Sequence, residues 1–125
     1  MAPVTTKLSA RSVSDTLAIL TDLVTTHGMK VFGLVDHSGE AATIGQKLRD
    51  TKLLIFGSPL QGTRAMVNAP LAALDLPLKV LVWDDNGQTK VSYTPPSELA
   101  ARYDLSAEMA QRLAGIDALT DAAVS

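Results

Sequence analysis

The chain of 125 residues contains no cysteine. This absence excludes disulfides, thiolate nucleophiles and cysteine-ligated zinc or iron–sulfur sites. Aromatic residues make up 4% of the chain and apolar residues 46%, so a core must be built mainly from aliphatic side chains. No run approaches the roughly 18 apolar residues of a membrane-spanning helix, and the first residues lack the apolar segment of a secretory signal. We therefore expect a cytoplasmic protein with no membrane partner.

The chain also lacks an excess of positive charge, since its formal net charge is −2. Proteins that bind nucleic acid usually present a positive field to the phosphate backbone. We therefore expect no nucleic-acid partner. A chain of this length fits one domain, and folding is expected to bury roughly two thirds of the surface that the unfolded chain exposes.

Local signals predict the elements of the first half. An edge strand is expected over residues 4–10, followed by a helix that Ser12 caps, with Asp15 three residues later and Gly28 as its end. In residues 29–35, both the odd-numbered and the even-numbered positions are largely apolar, which predicts a strand that is covered on two faces. A polar turn over residues 36–40 and a weak helix over residues 41–48 follow.

Two continuous apolar runs, residues 53–56 and 78–83, predict neighbouring central strands of one sheet. A turn from Gly57 to Gly62 and a short helix over residues 63–68 lie between them. The pair Asn86-Gly87 predicts a tight hairpin, and the return strand, residues 88–93, alternates so that its polar side faces water.

The last part of the chain predicts two more helices. Pro95 and Pro96 begin one helix, and Ser106 caps a final helix with an apolar stripe of Met109, Leu113 and Ile116. The sum is a single α+β domain with its core at residues 5–105 and a C-terminal helix at residues 106–123. We expect a two-layer sandwich with a mixed β-sheet, a C-terminal antiparallel hairpin and helices mainly on one face.

The glycine-punctuated turn has the spacing of a phosphate-binding loop, but its residues differ. Thr63-Arg64 stands where such a loop needs Lys followed by Ser or Thr, and Pro59 removes one N–H donor. Nucleotide hydrolysis is therefore excluded. Ser58 also lacks the second glycine of a nucleophile elbow, which excludes a serine hydrolase. Two interpretations stay open: the N–H groups near Gly62 bind an anion beside Arg64, or both glycines only satisfy turn geometry.

His37 follows a strand and stands beside Asp36 in the predicted polar turn. This pair suits a general base or a single metal bond, and the alternative is a structural histidine at the surface. The chain has two histidines, so a metal would need carboxylates from elsewhere, and we predict no metal site. Tyr93, at the end of the return strand, is expected either to line a pocket or to pack in the core.

Several strings of the chain resemble one family. Leu53-Leu54-Ile55-Phe56-Gly57-Ser58-Pro59 is followed by Gly62-Thr63, by Leu74-Asp75-Leu76-Pro77-Leu78-Lys79-Val80-Leu81-Val82-Trp83-Asp84 and by Val91-Ser92-Tyr93. In this order, and with Asp36-His37 earlier, they resemble the bacterial and archaeal family called domain of unknown function 302. Ser58 stands where the family pattern leads us to expect Asn. The resemblance implies a compact α+β domain, a mixed sheet and a homodimer, and it implies no activity or cofactor.

Three hypotheses for the function follow. In the first, a small and anionic molecule binds between the His37 turn, the loop of Gly57, Ser58, Gly62, Thr63 and Arg64, and Tyr93. In the second, the protein is an enzyme in which His37 is the general base, Asp36 orients it and Lys79 or Arg64 stabilises charge. In the third, the stripe of the final helix forms a dimer interface. The cofactor, if there is one, cannot be named from these residues.

Overall fold

Five strands form one sheet in the order β1-β5-β4-β3-β2, and every neighbouring pair is antiparallel. The structure is a computed structural model that describes residues 3–125. The strands are β1 Thr5–Ser9, β2 Lys30–Asp36, β3 Thr51–Gly57, β4 Leu78–Asp85 and β5 Gln88–Tyr93.

Within residues 3–125, six α-helices and one 3₁₀ helix connect and cover these strands. The α-helices are α1 Val13–Thr26, α2 His37–Thr43, α3 Pro59–Asn68, α4 Pro96–Tyr103, α5 Ala107–Leu113 and α6 Gly115–Val124. The 3₁₀ helix, Pro70–Leu74, lies between α3 and β4.

The α+β class is confirmed, but the expectation of a mixed sheet is wrong. A parallel pair would require each connection to carry the chain back along the whole length of the preceding strand. The connection after β2 does not run back along the strand, because Asp36 at the end of β2 pairs with Lys52 near the start of β3. The chain therefore turns at the end that it has reached, and β3 returns antiparallel.

One face of the sheet carries the core. The strand residues on this face are fully or nearly buried beneath α1 and α6. Along each strand they alternate with residues whose side chains lie on the opposite face of the sheet. The strand residues of the core are Leu54, Phe56, Leu78, Val80, Val82, Val91 and Tyr93. The helix residues that meet them include Val13, Leu17, Leu20, Val24, Ile116, Leu119 and Ala123.

The two strands predicted to be central, β3 and β4, pair directly with each other, as expected. The strand predicted to be covered on two faces is instead the edge strand β2, and that expectation is wrong. Phe32 is 46% exposed and Leu34 52% exposed. The register shifts between Val31 and Gly33, so Phe32 lies in a bulge that interrupts the pairing.

Capping residues fix three of the helix starts. The hydroxyl of Ser12 accepts a hydrogen bond from the amide of Asp15, and Ser58 and Ser106 make the same contact at α3 and α5. The hairpin is also as predicted, since Asn86 and Gly87 both have positive φ.

The expected final helix is two helices, α5 and α6, which meet at Ala114 and Gly115. Leu113 and Ile116 of the predicted stripe are buried against the core, so this stripe packs inside the protein. It is not free to form the dimer interface that the third hypothesis assigned to it.

Polar contacts fasten α6 to β1. The Nζ atom of Lys7 lies 2.7 Å from the hydroxyl of Thr120, 2.9 Å from the carbonyl of Asp117 and 2.8 Å from the carboxylate of Asp121. Tyr93 donates its hydroxyl proton to the Asp117 carboxylate, and its ring lies beneath the Lys7 ammonium. We call these five residues the α6 clasp.

Candidate ligand-binding cavity

A cavity of about 280 Å³ lies at the corner where α3, the start of β4 and the α5–α6 junction meet. Its wall is mainly apolar, with polar side chains at a few positions. The apolar side chains are Met29, Phe32, Pro59, Met66, Leu76, Pro77, Leu78, Leu113 and Ile116. The remaining lining residues are Gly57, Ser58, Gln61, Gly62, Thr63, Arg112 and Gly115.

The first two turns of α3 form one side of the cavity. Pro59 suits the first position of a helix because its fixed φ matches and its missing N–H would have no partner there. Gly62 lies within this helix and not in the turn that was predicted from Gly57 to Gly62. A Cβ atom on Gly62 would stand 3.8 Å from the terminal methyl of Met66, so the glycine leaves open space at the wall.

Gln61 is the unusual polar group of the wall. Its side-chain oxygen is buried and has no hydrogen-bond partner within residues 3–125. A buried acceptor without a partner costs about 1–3 kcal/mol. Because Gln61 belongs to the cavity wall, a rotation of its side chain would bring this acceptor to a bound molecule that carries an N–H or O–H group.

Arg112 supplies the positive charge of the wall. Its guanidinium lies 2.5 Å from the carboxylate of Glu108, one turn earlier on α5, and both side chains reach solvent. An exposed pair of this kind contributes little to stability, so exchanging Glu108 for another carboxylate costs little.

Asp75 holds the wall formed by Leu76 and Pro77, whose peptide bond is cis. Its carboxylate accepts hydrogen bonds from the Tyr103 hydroxyl and, at 2.7 Å, from Arg102 on α4. The hydrogen bond from Tyr103, supported by Arg102, lowers the pKa of Asp75 below its usual value despite partial burial. The loop before β4 is thus tied to α4 by a charged group.

Four of the residues predicted to bind a ligand line this cavity: Gly57, Ser58, Gly62 and Thr63. Arg64 belongs to α3 but does not line it. Tyr93 is buried and engaged in the α6 clasp, two strands away from Gly57.

His37 lies at the other end of the sheet. Asp36 pairs with Lys52 and Gly57 pairs with Lys30, so about 20 Å of strand separates His37 from the cavity. The three predicted polar turns do not all meet at one end, because β3 and β5 end at the same edge of the antiparallel sheet whereas β2 ends at the opposite edge.

The carboxylate of Asp36 interacts with groups other than His37. Its carboxylate lies 2.9 Å from Lys52, and it accepts hydrogen bonds from Ser38 and from the amide of Gly39 at the start of α2. The hydrogen bond from Lys52, followed by those from Gly39 and Ser38, lowers the pKa of Asp36 to about 2. Of the hydrogen bonds found between residues 3–125, none involves the His37 ring.

Lys79 is also remote from His37. It faces the side of the sheet opposite the core and donates to the carbonyl of Pro77 at 3.3 Å. The structure therefore does not assemble Asp36, His37 and Lys79 into one site. Over residues 3–125, no three His, Asp or Glu side chains come together as metal ligands.

Nearly all of the described chain matches one family. The profile of the family described as "Domain of unknown function DUF302" covers residues 4–123. The chain belongs to this family. The DUF302 fold is also found in the crystal structure of an uncharacterised conserved DUF302 protein from Bacillus stearothermophilus, with a TM-score of 0.80 and 19% sequence identity. That similarity covers 97% of this chain and 94% of the other.

Curated relatives of this DUF302 chain carry another name. It is 37% identical over 98 residues to proteins named "Fluoride-specific ion channel FluC 1" from Brucella suis and from Brucella abortus. The match covers 78% of this chain but only 39% and 36% of those two proteins. In residues 3–125 of the DUF302 chain, no helix combines the length and the apolar character that crossing a membrane requires.

Sequence reasoning missed most of the cavity wall. Gln61 lies between two of the predicted residues, and its place in the loop was a usable signal. Arg112 and Leu113 line the cavity only because α5 packs against α3, and no local pattern in the sequence predicts that contact.

Proposed function

We propose that this DUF302 domain binds a small, largely apolar molecule with a hydrogen-bond donor and an anionic group in the cavity beside α3. The observation that carries the proposal is an enclosed, mainly apolar wall that includes Gln61, whose side-chain oxygen is buried and has no hydrogen-bond partner among residues 3–125. Binding sites typically combine an apolar enclosure with a few polar groups that orient the ligand.

The size of the cavity limits the ligand. A cavity of about 150 Å³ accepts benzene, and drug-sized ligands occupy about 300–1,000 Å³. At about 280 Å³, this cavity suits a molecule with one or two rings or a short branched chain. Arg112 at the wall favours a carboxylate or another anion on that molecule.

The test is a thermal-shift and calorimetric titration with matched probes. The probes are 4-hydroxybenzoate, benzoate without the donor, and 4-hydroxybenzamide without the charge. We expect 4-hydroxybenzoate to bind best, because it carries both groups. Loss of the donor or of the charge should weaken binding by about 10-fold each, the range of one hydrogen bond or one exposed charge pair.

Two variants of α3 localise the binding. Gly62→Leu places a side chain at the cavity wall and should abolish binding. Val67→Leu places the same leucine side chain on the same helix, at a position where the native side chain is 74% exposed, and it should leave binding unchanged. Binding that survives Gly62→Leu in a folded protein would move the ligand site elsewhere.

Sodium fluoride is titrated as a separate probe because of the name of the Brucella relatives. A shift with fluoride alone, and with no organic probe, would replace this proposal by a halide-binding function. No shift with any probe would count against a binding function for the cavity.

A further inference from the structure

A second space between helices lies outside the cavity described above. It measures about 250 Å³ and is bounded by the second half of α3, the start of α5 and the turn that joins α4 to α5. We call this space the helix groove. Its lining residues are Arg64, Ala65, Asn68, Ala69, Asp104, Leu105, Ser106 and Met109.

Two charges of opposite sign line the helix groove without contacting each other. Arg64 lies on α3 and Asp104 directly follows α4. Neither side chain takes part in the ion pairs found within residues 3–125. In contrast, Arg102 and Arg112 both contact carboxylates. The helix groove therefore presents one positive and one negative group to a molecule that occupies it.

Two uncharged side chains near Arg64 also have unused hydrogen-bond donors. Asn68 follows Arg64 by one turn on the same face of α3, and its amide makes no hydrogen bond to another described residue. The hydroxyl of Ser106 accepts a hydrogen bond from the amide of Met109 at 3.1 Å, while its own proton has no acceptor in this part of the chain. A carboxylate only accepts hydrogen bonds, so it suits these donors and the guanidinium.

The charges next to the helix groove do not disturb this arrangement. A neighbouring space of about 340 Å³ also borders Arg64 and adds Arg112 and Glu108 to its wall. These two side chains lie 2.5 Å apart and neutralise each other. Arg64 and Asp104 are thus the unpaired charges among the residues that line the two spaces.

The rest of the wall is apolar. The small side chains of Ala65 and Ala69 leave room on α3, and Met109 on α5 is flexible enough to adapt to a bound group. A cavity of about 150 Å³ accepts benzene. At about 250 Å³, the helix groove has room for a branched aliphatic side chain together with two small charged groups.

We propose that the helix groove binds a free α-amino acid with an apolar side chain. The carboxylate of the amino acid accepts hydrogen bonds from Arg64, Asn68 and Ser106, and its ammonium group contacts Asp104. Its side chain packs against Met109. This site is independent of the ligand proposed for the cavity beside α3, because no described residue lines both spaces.

The test is a titration followed by the backbone amide signals in nuclear magnetic resonance spectra. L-leucine, added up to about 20 mM, should shift the signals of Asn68, Asp104 and Ser106. N-acetyl-L-leucine lacks the ammonium charge, and L-leucinamide lacks the carboxylate. Each should bind at least about 5-fold more weakly than L-leucine, because it loses one charge-assisted contact.

Two variants and two matched controls localise the site. Arg64→Gln and Asp104→Asn should each weaken the binding of L-leucine at least about 5-fold. Asparagine tolerates the positive φ of 52° at position 104, so the end of α4 is preserved. Arg49→Gln and Asp22→Asn make the same changes at exposed positions elsewhere and should leave the affinity unchanged.

Three results would overturn the proposal. The first is a spectrum that L-leucine does not change at about 20 mM. The second is equal affinity for L-leucine and both analogues, or an affinity that neither variant lowers. The third is a set of shifts confined to Gly57, Gly62 and Leu113, which would place the amino acid in the cavity beside α3 instead.

Discussion

The α6 clasp and the cavity beside α3 lie on the same helical layer, yet they are built in opposite ways. In the clasp, Lys7, Tyr93 and three residues of α6 satisfy one another, and the helix buries four side chains. At the cavity, α3 buries only Ala65, and Gln61 leaves an oxygen without a partner. The difference indicates that the region around α6 contributes more to the stability of this small domain than the region around α3, which is packed less tightly.

The largest contrast is expected from truncating one side chain of the packed core and one of the cavity wall. Leu20→Ala, on the buried side of α1, should lower the free energy of unfolding by about 2–5 kcal/mol. Met66→Ala enlarges a cavity that already exists and should cost about 1 kcal/mol. Urea unfolding at neutral pH measures both. Equal losses would mean that the two regions are packed alike.

The clasp itself is tested by Lys7→Met, which keeps the length of the side chain and removes its charge. The variant loses three polar contacts to α6, and we expect a loss of about 1–2 kcal/mol in the free energy of unfolding. Lys47→Met, at an exposed position, should change stability by less than about 0.5 kcal/mol. If the two variants cost the same, the clasp does not fasten α6.

The cavity should respond in the opposite direction to Gln61→Met. This change replaces a buried, unpartnered polar group with an apolar one of similar shape, so the free energy of unfolding should rise by about 1 kcal/mol. Thermal and urea unfolding without ligand measure the gain. Affinity for 4-hydroxybenzoate should fall in the same variant. A loss of stability would show that the oxygen is satisfied in solution.

The smallest expected effect lies at the far end of the sheet and serves as a reference for both regions. Asp36 has its pKa lowered from 3.8 to about 2, so its ionised form favours the folded state above about pH 4. This contribution should fade as the pH falls from about 4 to about 2. Asp36→Asn keeps a good helix cap and removes the charge.

Urea unfolding at about pH 7 and about pH 2 should therefore show a difference between wild type and Asp36→Asn only at the higher pH. Asp22→Asn, on the exposed side of α1, provides the control. A difference that persists at the lower pH would assign the effect to the helix cap and not to the ion pair with Lys52.

Much of the fold could be predicted because its signals are local. Ser12 caps α1, Asn86-Gly87 makes the hairpin, and the alternation in β5 places Val91 inside and Lys90 outside, as predicted. The sheet direction was missed because strand–helix–strand order does not reveal how far each connection travels. The spacing of Gly57 and Gly62 predicts a turn, but Ser58 caps a helix that begins at Pro59 and includes Gly62.

The site was only half predictable for a related reason. Gly57, Ser58, Gly62 and Thr63 are close in sequence and therefore close in space whatever the fold. Whether His37 joins them depends on which sheet edge β2 reaches, and whether Tyr93 joins them depends on how far β5 lies from β3 in the sheet, so both are properties of the topology. Arg112 lines the cavity only because α5 packs against α3, and no spacing of residues in the sequence predicts that contact.

The weak anchoring of α3 also bears on how a molecule could enter the corner beside it. A helix held by one small alanine separates from the sheet at a lower energetic cost than α1, which is held by five buried side chains. Brief detachment of α3 would open a passage without moving any strand. Amide hydrogens of α3 should accordingly exchange with deuterium well before those of α1. The helix that opens the cavity and the helix that holds the core together are then separate parts of the same small protein.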